Sequence, residues 1–137
     1  MSDLFSSMDA AASGLRAQTV RMRLAAENLA NADSTAQTPG GDPYQRRIPV
    51  FEAKLNPETG AVGVELKRAV DDTKAFPLRY DPTHPAADQA GYVKEPNVST
   101  LIEAADLRDA QRAYEANLNV IEAARSMATR ALDVLRA

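Results

Sequence analysis

Between Leu4 and Ala30, apolar side chains recur with a period of seven. Met8, Leu15, Met22 and Leu29 mark one line, Ala11, Ala12, Ala25 and Ala26 stand at the half-heptad positions, and Gln18 and Thr19 are weaker equivalents. No proline interrupts the stretch, so the spacing predicts an α-helix with an apolar seam along one side. Ser2 or Asp3 is placed to cap its start, and the polar run after Asn31 ends it. Gly14 costs about 1 kcal/mol relative to alanine inside a helix, and so marks a point where another segment comes close.

A second helix is predicted from Thr100 to Arg136, a stretch without glycine or proline. Thr100-Leu101-Ile102-Glu103 fits a capping box, in which the threonine side chain bonds the third amide and the glutamate returns to the cap's own amide. At 1.5 Å per residue such a helix is roughly 54 Å long, more than a compact domain needs. It carries two apolar stripes. One runs through Tyr114, Leu118, Ile121, Arg125, Ala128, Leu132 and Leu135, and the other through Ala110, Ala113, Asn117, Val120, Ala124, Met127, Ala131 and Val134.

Two adjacent stripes call for two packing partners, and the chain offers only one other long helix. The stripe richer in leucine and isoleucine is expected to pair with the N-terminal helix. The small-residue stripe is then left to another subunit, because an exposed apolar stripe of this size marks an interface. Arg125, lying within the first stripe, suggests a polar contact that fixes register. The competing reading is one wide face buried against the middle of the chain.

That middle, residues 32–98, holds all eight prolines and five of the six glycines. Ile48–Phe51 and Ala61–Leu66 read as strands, while Asn56–Gly60 and Asp81–Pro85 read as turns. The fold expected is mainly α, with long N- and C-terminal heptad helices packed as an antiparallel-type coiled-coil pair and a small, β-rich, loop-rich central insert. Its segments are an N-terminal axial helix (1–31), a connector and insert (32–98) and a C-terminal axial helix (99–137).

Composition narrows the chemistry. With 137 residues, 45% of them hydrophobic but only 5% aromatic and no tryptophan, the core must be built largely from small and aliphatic side chains, which suits closely packed helices. The absence of cysteine removes disulfide, thiolate-metal and cysteine-nucleophile chemistry. A net charge of −3 with dispersed basic residues argues against nucleic acid as a partner. No segment reaches the length of a membrane span or has the pattern of a cleaved signal peptide.

Catalytic groups do not converge. His84, the single histidine, lies in a proline-flanked loop where it is expected to be solvated. Asp71, Asp72 and Asp81 fit no calcium loop, and Gly40-Gly41 lacks the lysine and the helix that a phosphate cradle requires. No cofactor, metal or enzymatic activity is expected.

The stretches NLANADSTAQTPGGDPYQRRIPVFEAKL and GYVKEPNVSTLIEAADLRDAQRAYEANLNVIEAARSM resemble the N- and C-terminal motifs of the bacterial flagellar rod and hook protein family, in that order and at those ends. The short length and the Gly-Tyr-Val followed by Pro-Asn-Val look most like the proximal-rod members. The resemblance covers about residues 1–54 and 91–137. It implies a non-enzymatic structural subunit exported without a cleaved signal and assembled in the periplasmic rod, where it transmits torque and forms part of the export channel wall. Implied partners are other rod proteins, the membrane-ring protein, adapter subunits and the flagellar type III export apparatus.

Residues 28–47 would then connect subunits, with Asn28, Asn31 and Tyr44 at the boundary. Asparagine suits the helix end because it tolerates left-handed backbone and bonds free carbonyls locally. Met8, Leu15, Met22 and Leu29, and on the second helix Tyr114, Asn117, Leu118, Val120, Ile121, Ala124, Arg125, Met127, Leu132 and Leu135, are the remaining candidate interface residues. The alternative is a secreted helical effector or translocator that binds a protein partner through its exposed seam.

Overall fold

In the computed structural model, which describes residues 1–137, the elements run α1 (Ser2–Ala30), β1 (Arg47–Leu55), β2 (Val62–Asp71), β3 (Leu78–Tyr80), β4 (Tyr92–Lys94) and α2 (Thr100–Arg136). Two long helices and a small β-rich middle are thus present as expected. α2 packs along α1, the one helix or strand it touches. Asn28, near the end of α1, bonds Glu103 in the first turn of α2 at 3.1 Å. Midway along α1, a Cβ built on Gly14 would lie 2.7 Å from the Asn117 side chain, so the glycine marks the close approach that its position predicts.

The seam between the helices differs from both predicted stripes. Glu103, Ala110 and Ala124 are the buried residues of α2, and with Asn117 they form a line of period seven. Tyr114, Ile121 and Ala128 lie half-buried beside it. The contact therefore takes members from each stripe, and Leu118 and Val120 stand on its two margins at 39% and 46% exposure. The division into a Leu118 stripe for the chain's own helix and a Val120 stripe for a neighbour is corrected: alanine lets the backbones approach along the middle, which displaces the larger side chains to either edge. Arg125, expected to fix register, is exposed.

The same shift holds on α1. Met8, Leu15, Met22 and Leu29 are half-buried, whereas the buried residues are Ala11, Ser13, Ala17, Leu24, Ala25 and Asn28.

The helix ends also depart from expectation. Ser99, not Thr100, occupies the cap position of α2, and no side chain caps it. At the end of α1, Asn31 has φ −106° and ψ 13°, and no non-glycine residue has positive φ, so the left-handed backbone is not used. The local bonding is: Asn31 Nδ2 donates to the Glu27 carbonyl at 2.9 Å.

β1 and β2 form an antiparallel hairpin in register from Arg47 opposite Asp71 to Leu55 opposite Val62, with an irregularity between Val50 and Phe51. Both predicted strands fall inside it, and the predicted turn at Asn56–Gly60 connects them, with Gly60 at φ +69°. The hairpin is fastened to α1 at two points. Ser13 Oγ accepts from the Val64 amide at 3.0 Å and donates to the Ala10 carbonyl at 2.7 Å. Asp9 accepts from Asn56 Nδ2 at 2.8 Å and Thr59 Oγ1 at 3.0 Å.

The three-residue strands β3 and β4 pair antiparallel, with Tyr80 packed edge-on against Tyr92. They are too short to give a periodic signal in sequence. The core is thin: 15 of 137 residues are buried. The accessible surface is 9114 Å², against about 7,000 Å² for a compact monomer of this mass.

Candidate assembly interface and the polar clasp

Where α1 ends, the chain ties its four main parts together through one buried amide. Asn28 is almost fully buried, yet each of its hydrogen-bonding positions is filled. Nδ2 donates to the Arg47 carbonyl at 2.9 Å and to Glu103 Oε2 at 3.1 Å. Oδ1 accepts from the Tyr44 hydroxyl at 2.8 Å and from the Arg47 amide at 3.0 Å. A fully satisfied amide avoids the desolvation penalty that makes buried polar groups costly.

Arg46 extends this clasp. Its Nε donates to the buried Glu103 carboxylate, Nη1 reaches Asp72 at 3.3 Å, and Nη2 reaches Asp106 at 3.5 Å. One guanidinium thus joins the connector to the base of the hairpin and to the start of α2. Asn97, just before α2, accepts from the Arg46 amide at 2.7 Å and donates to the Asp72 carbonyl at 3.0 Å and the Lys74 carbonyl at 3.1 Å. Glu103 therefore does not close the expected capping box: a buried carboxylate is held better by a guanidinium and an amide than by an exposed cap.

The electrostatics follow from this packing. Burial pulls against the charge on Arg46, but its hydrogen bond to Glu103 and the surrounding carboxylates outweigh that and hold the guanidinium above its ordinary value. The Lys74 amide, donating to Asp72 Oδ1 at 3.0 Å, and then Arg46 hold the Asp72 carboxyl below its usual range against the effect of burial. Burial, followed by the charge of Glu27, pushes the Tyr44 phenol up.

Of the expected boundary residues, Asn28 and Tyr44 meet within the chain, and Asn31 stands apart from them. Asn28 is turned inward, which removes it from any surface shared with a neighbour. Tyr44 likewise gives its hydroxyl to Asn28, closing residues 28–47 back onto their own helix. His84 is not simply solvated. It is half-buried, its Nδ1 accepting from the Ala86 amide at 3.0 Å and its Nε2 lying 3.3 Å from Thr35 Oγ1.

Arg46, Asp72 and Asn97 were absent from the expected set. The adjacent Arg46-Arg47 within the quoted motif is the one local hint, since the ion-pair partners of Arg46 lie 26–60 residues away. On α2, Met127, Leu132 and Leu135 are exposed with Leu118 and Val120, Ala124 is buried, and Tyr114, Asn117 and Ile121 are partly covered.

A family model described as "Flagellar basal body rod FlgEFG protein C-terminal" matches residues 89–134, from just before β4 through nearly all of α2. The chain is 44% identical to the flagellar basal-body rod protein FlgC of Agrobacterium fabrum, covering 100% of this chain and 99% of that protein. The chain belongs to the FlgC family. It is also 42% identical to FlgC of Aquifex aeolicus over 86% of this chain and 87% of that one, and 37% identical to FlgC of Bacillus subtilis over 95% and 97%. The FlgC family is one of structural rod components and not of enzymes, and the likeness spans the insert as well as the helices. Nothing in it favours the effector or translocator alternative.

Proposed function

We propose that the chain is a wall subunit of the proximal flagellar rod, in which α1 and α2 form an antiparallel coiled-coil pair and residues 32–98 bridge to neighbours. Family membership supplies the rod. The observation that carries the wall role is the uncovered apolar edge of α2, on a chain whose surface exceeds that of a compact monomer by about 2,000 Å². Two contacts support the antiparallel pairing: Asn28 with Glu103, and Gly14 with Asn117. As α1 advances by fourteen residues, its partner position on α2 retreats by fourteen.

Other rod proteins, the membrane-ring protein and adapter subunits are the partners that this role requires, with the type III export apparatus as the route of delivery and the periplasmic rod as the destination. The half-buried line Met8, Leu15, Met22 and Leu29 and the exposed Leu118, Val120, Arg125, Met127, Leu132 and Leu135 are the residues proposed to meet neighbours. A chain of this kind is delivered without a cleaved signal peptide and forms part of the wall of the export channel.

The test is electron microscopy of basal bodies from a strain lacking the gene, together with mass spectrometry of wild-type basal bodies. The expected result is membrane rings without a completed rod, and the chain present in wild-type particles. Complete rods in the deletion strain would overturn the assignment. Export is tested separately by deleting residues 2–20, which should retain the chain in the cytoplasm.

A further inference from the structure

The single histidine of the chain sits in the turn that follows β3, where the β3–β4 segment meets the connector. Its Nδ1 accepts from the Ala86 amide at 3.0 Å, so Nδ1 bears no hydrogen and the ring is the neutral tautomer protonated at Nε2. Nε2 then donates to Thr35 Oγ1 at 3.3 Å. The ring shapes its own turn with one nitrogen and grips the connector with the other.

Among the helices and strands, β3 and β4 contact only each other. The segment is closed at its base, where Asn97 Nδ2 donates to the Lys74 carbonyl at 3.1 Å and the Glu95 amide to the Pro77 carbonyl at 2.8 Å. Three polar contacts cross from it to residues 33–42: His84 to Thr35, the Gly40 amide to the Ala86 carbonyl at 3.1 Å, and Lys94 to Asp42 at 2.9 Å. The last is an exposed ion pair of the kind that adds little. The other two pass through the His84 turn, because Ala86, 2% exposed, takes the His84 bond on its amide and the Gly40 bond on its carbonyl.

We propose that His84 is an acid-operated latch: the neutral imidazole fastens the turn after β3 to the connector, and a proton taken up at Nδ1 undoes it. That proton lands where the Ala86 N–H already points, which sets two donors against each other and leaves a buried amide without an acceptor. No neighbouring carboxylate is free to offset the new charge. In the histidine's own turn, Asp81 accepts from Thr83 Oγ1 at 2.9 Å and Asp88 from the Ala90 and Tyr92 amides. On the connector, Asp42 is paired with Lys94 of β4 and Asp33 is exposed, and at the base of the segment Arg79 is paired with Glu95. The latch is closed at neutral pH and is lost as pH falls through the range in which a free imidazole takes up its proton, about pH 6.5. The clasp around Asn28 does not share this response, since Asp72 is held below the usual carboxylate range. The device lies within one chain and stands whether or not that chain is a rod subunit.

Nuclear magnetic resonance of the isotope-labelled full chain tests it. At neutral pH the His84 ring is expected to carry its hydrogen on Nε2. Between about pH 7.5 and pH 5, the protection of the Ala86 and Gly40 amides, corrected for the intrinsic exchange rate at each pH, should fall roughly ten- to thirty-fold, the factor by which a turn with a free imidazole gains protonated population. The Arg47 amide, which donates to Asn28 in the clasp, should keep its protection over the same range. In His84→Asn the side-chain oxygen can accept the amide two residues on, as Asn56 does from Glu58 at 3.0 Å, but cannot titrate, so protection should no longer depend on pH. A hydrogen found on Nδ1 at neutral pH, or unchanged protection of Ala86 and Gly40 in acid, would overturn the latch. An equal acid loss in His84→Asn would overturn it as well, by assigning the effect to the carboxylates. The first two readings use the unaltered chain, so they decide the matter even if the variant misfolds.

Discussion

Asn28 is the residue on which the most distant parts of the chain converge, and its chemistry admits no close substitute. Asn28→Asp keeps the shape, replaces two donated hydrogen bonds with acceptors, and sets a second carboxylate against Glu103. The expected cost is about 3 kcal/mol, the scale for leaving a buried charge without its partner. Urea unfolding of the purified chain, followed by circular dichroism, reads it. Adding Glu103→Gln returns a donor to face the new carboxylate and should recover part of the loss.

The clasp should also limit the pH range of stability. The Asp72 carboxyl titrates lower in the folded chain than in the unfolded one, so its contribution is full above about pH 4 and is lost as pH falls through the folded value. The Tyr44 phenol titrates higher when folded, so its contribution is full below about pH 10 and is lost above it. Melting temperature against pH should fall at both ends, and Tyr44→Phe should flatten the alkaline limb alone. An alkaline limb unchanged in that variant would remove the Tyr44 argument. At this scale the sequence was only partly informative. Asn28 stood out as a helix end, but Glu103 fits a capping box as well as a clasp, and its true partners lie 57 and 75 residues away, beyond any local pattern.

Among the elements, two glycines set the spacing of neighbours. At Gly63 an added Cβ would meet Ser13 Oγ at 2.6 Å and Ser13 Cβ at 3.0 Å, so Gly63→Ala forces the hairpin off α1. Overpacking of this kind costs about 1–3 kcal/mol, and limited proteolysis should show faster cleavage in the turn between β1 and β2. At Gly14, alanine gains about 1 kcal/mol of helix propensity but intrudes on the Asn117 side chain at 2.7–2.9 Å. Gly14→Ala is expected to destabilise overall. In a double-mutant cycle, Asn117→Ala should recover more than the two single effects predict, with a coupling of about 1 kcal/mol. Additive effects would mean that the two helices do not meet there.

Both helices, the hairpin and its turn were legible because period seven, period two and the Asn-Pro-Glu-Thr-Gly turn are each local signals. The seam position was not. Periodicity identifies an apolar sector about half a helix wide, and which line within it faces α1 depends on how closely small side chains let the backbones approach.

For the whole molecule, the thin core and surplus surface mean that part of the structure awaits partners. In the isolated chain, the amides of the clasp and of the overlapping helices should be protected from hydrogen exchange, while residues 125–136 should exchange freely, because a helix without a packed face is marginal in water. Uniform protection along α2 in a dilute monomer would show that its far end needs no neighbour. The sequence offered two apolar stripes and one partner helix; in the fold α1 covers the line between them and leaves their outer margins exposed.

The clasp also dictates an order of events in time. Its members, residues 28, 46, 72 and 103, span most of the chain, and closing such long loops carries an entropic cost that only the finished contact returns. Whether the chain appears residue by residue at a ribosome or threads N-terminus first through a conduit, α1 is out long before Glu103 can reach it. The hairpin, whose strands are joined by a six-residue turn, can form as soon as Asp71 emerges. The two helices can lock only after residue 103 has followed, so α1 waits without its partner helix for three-quarters of the passage.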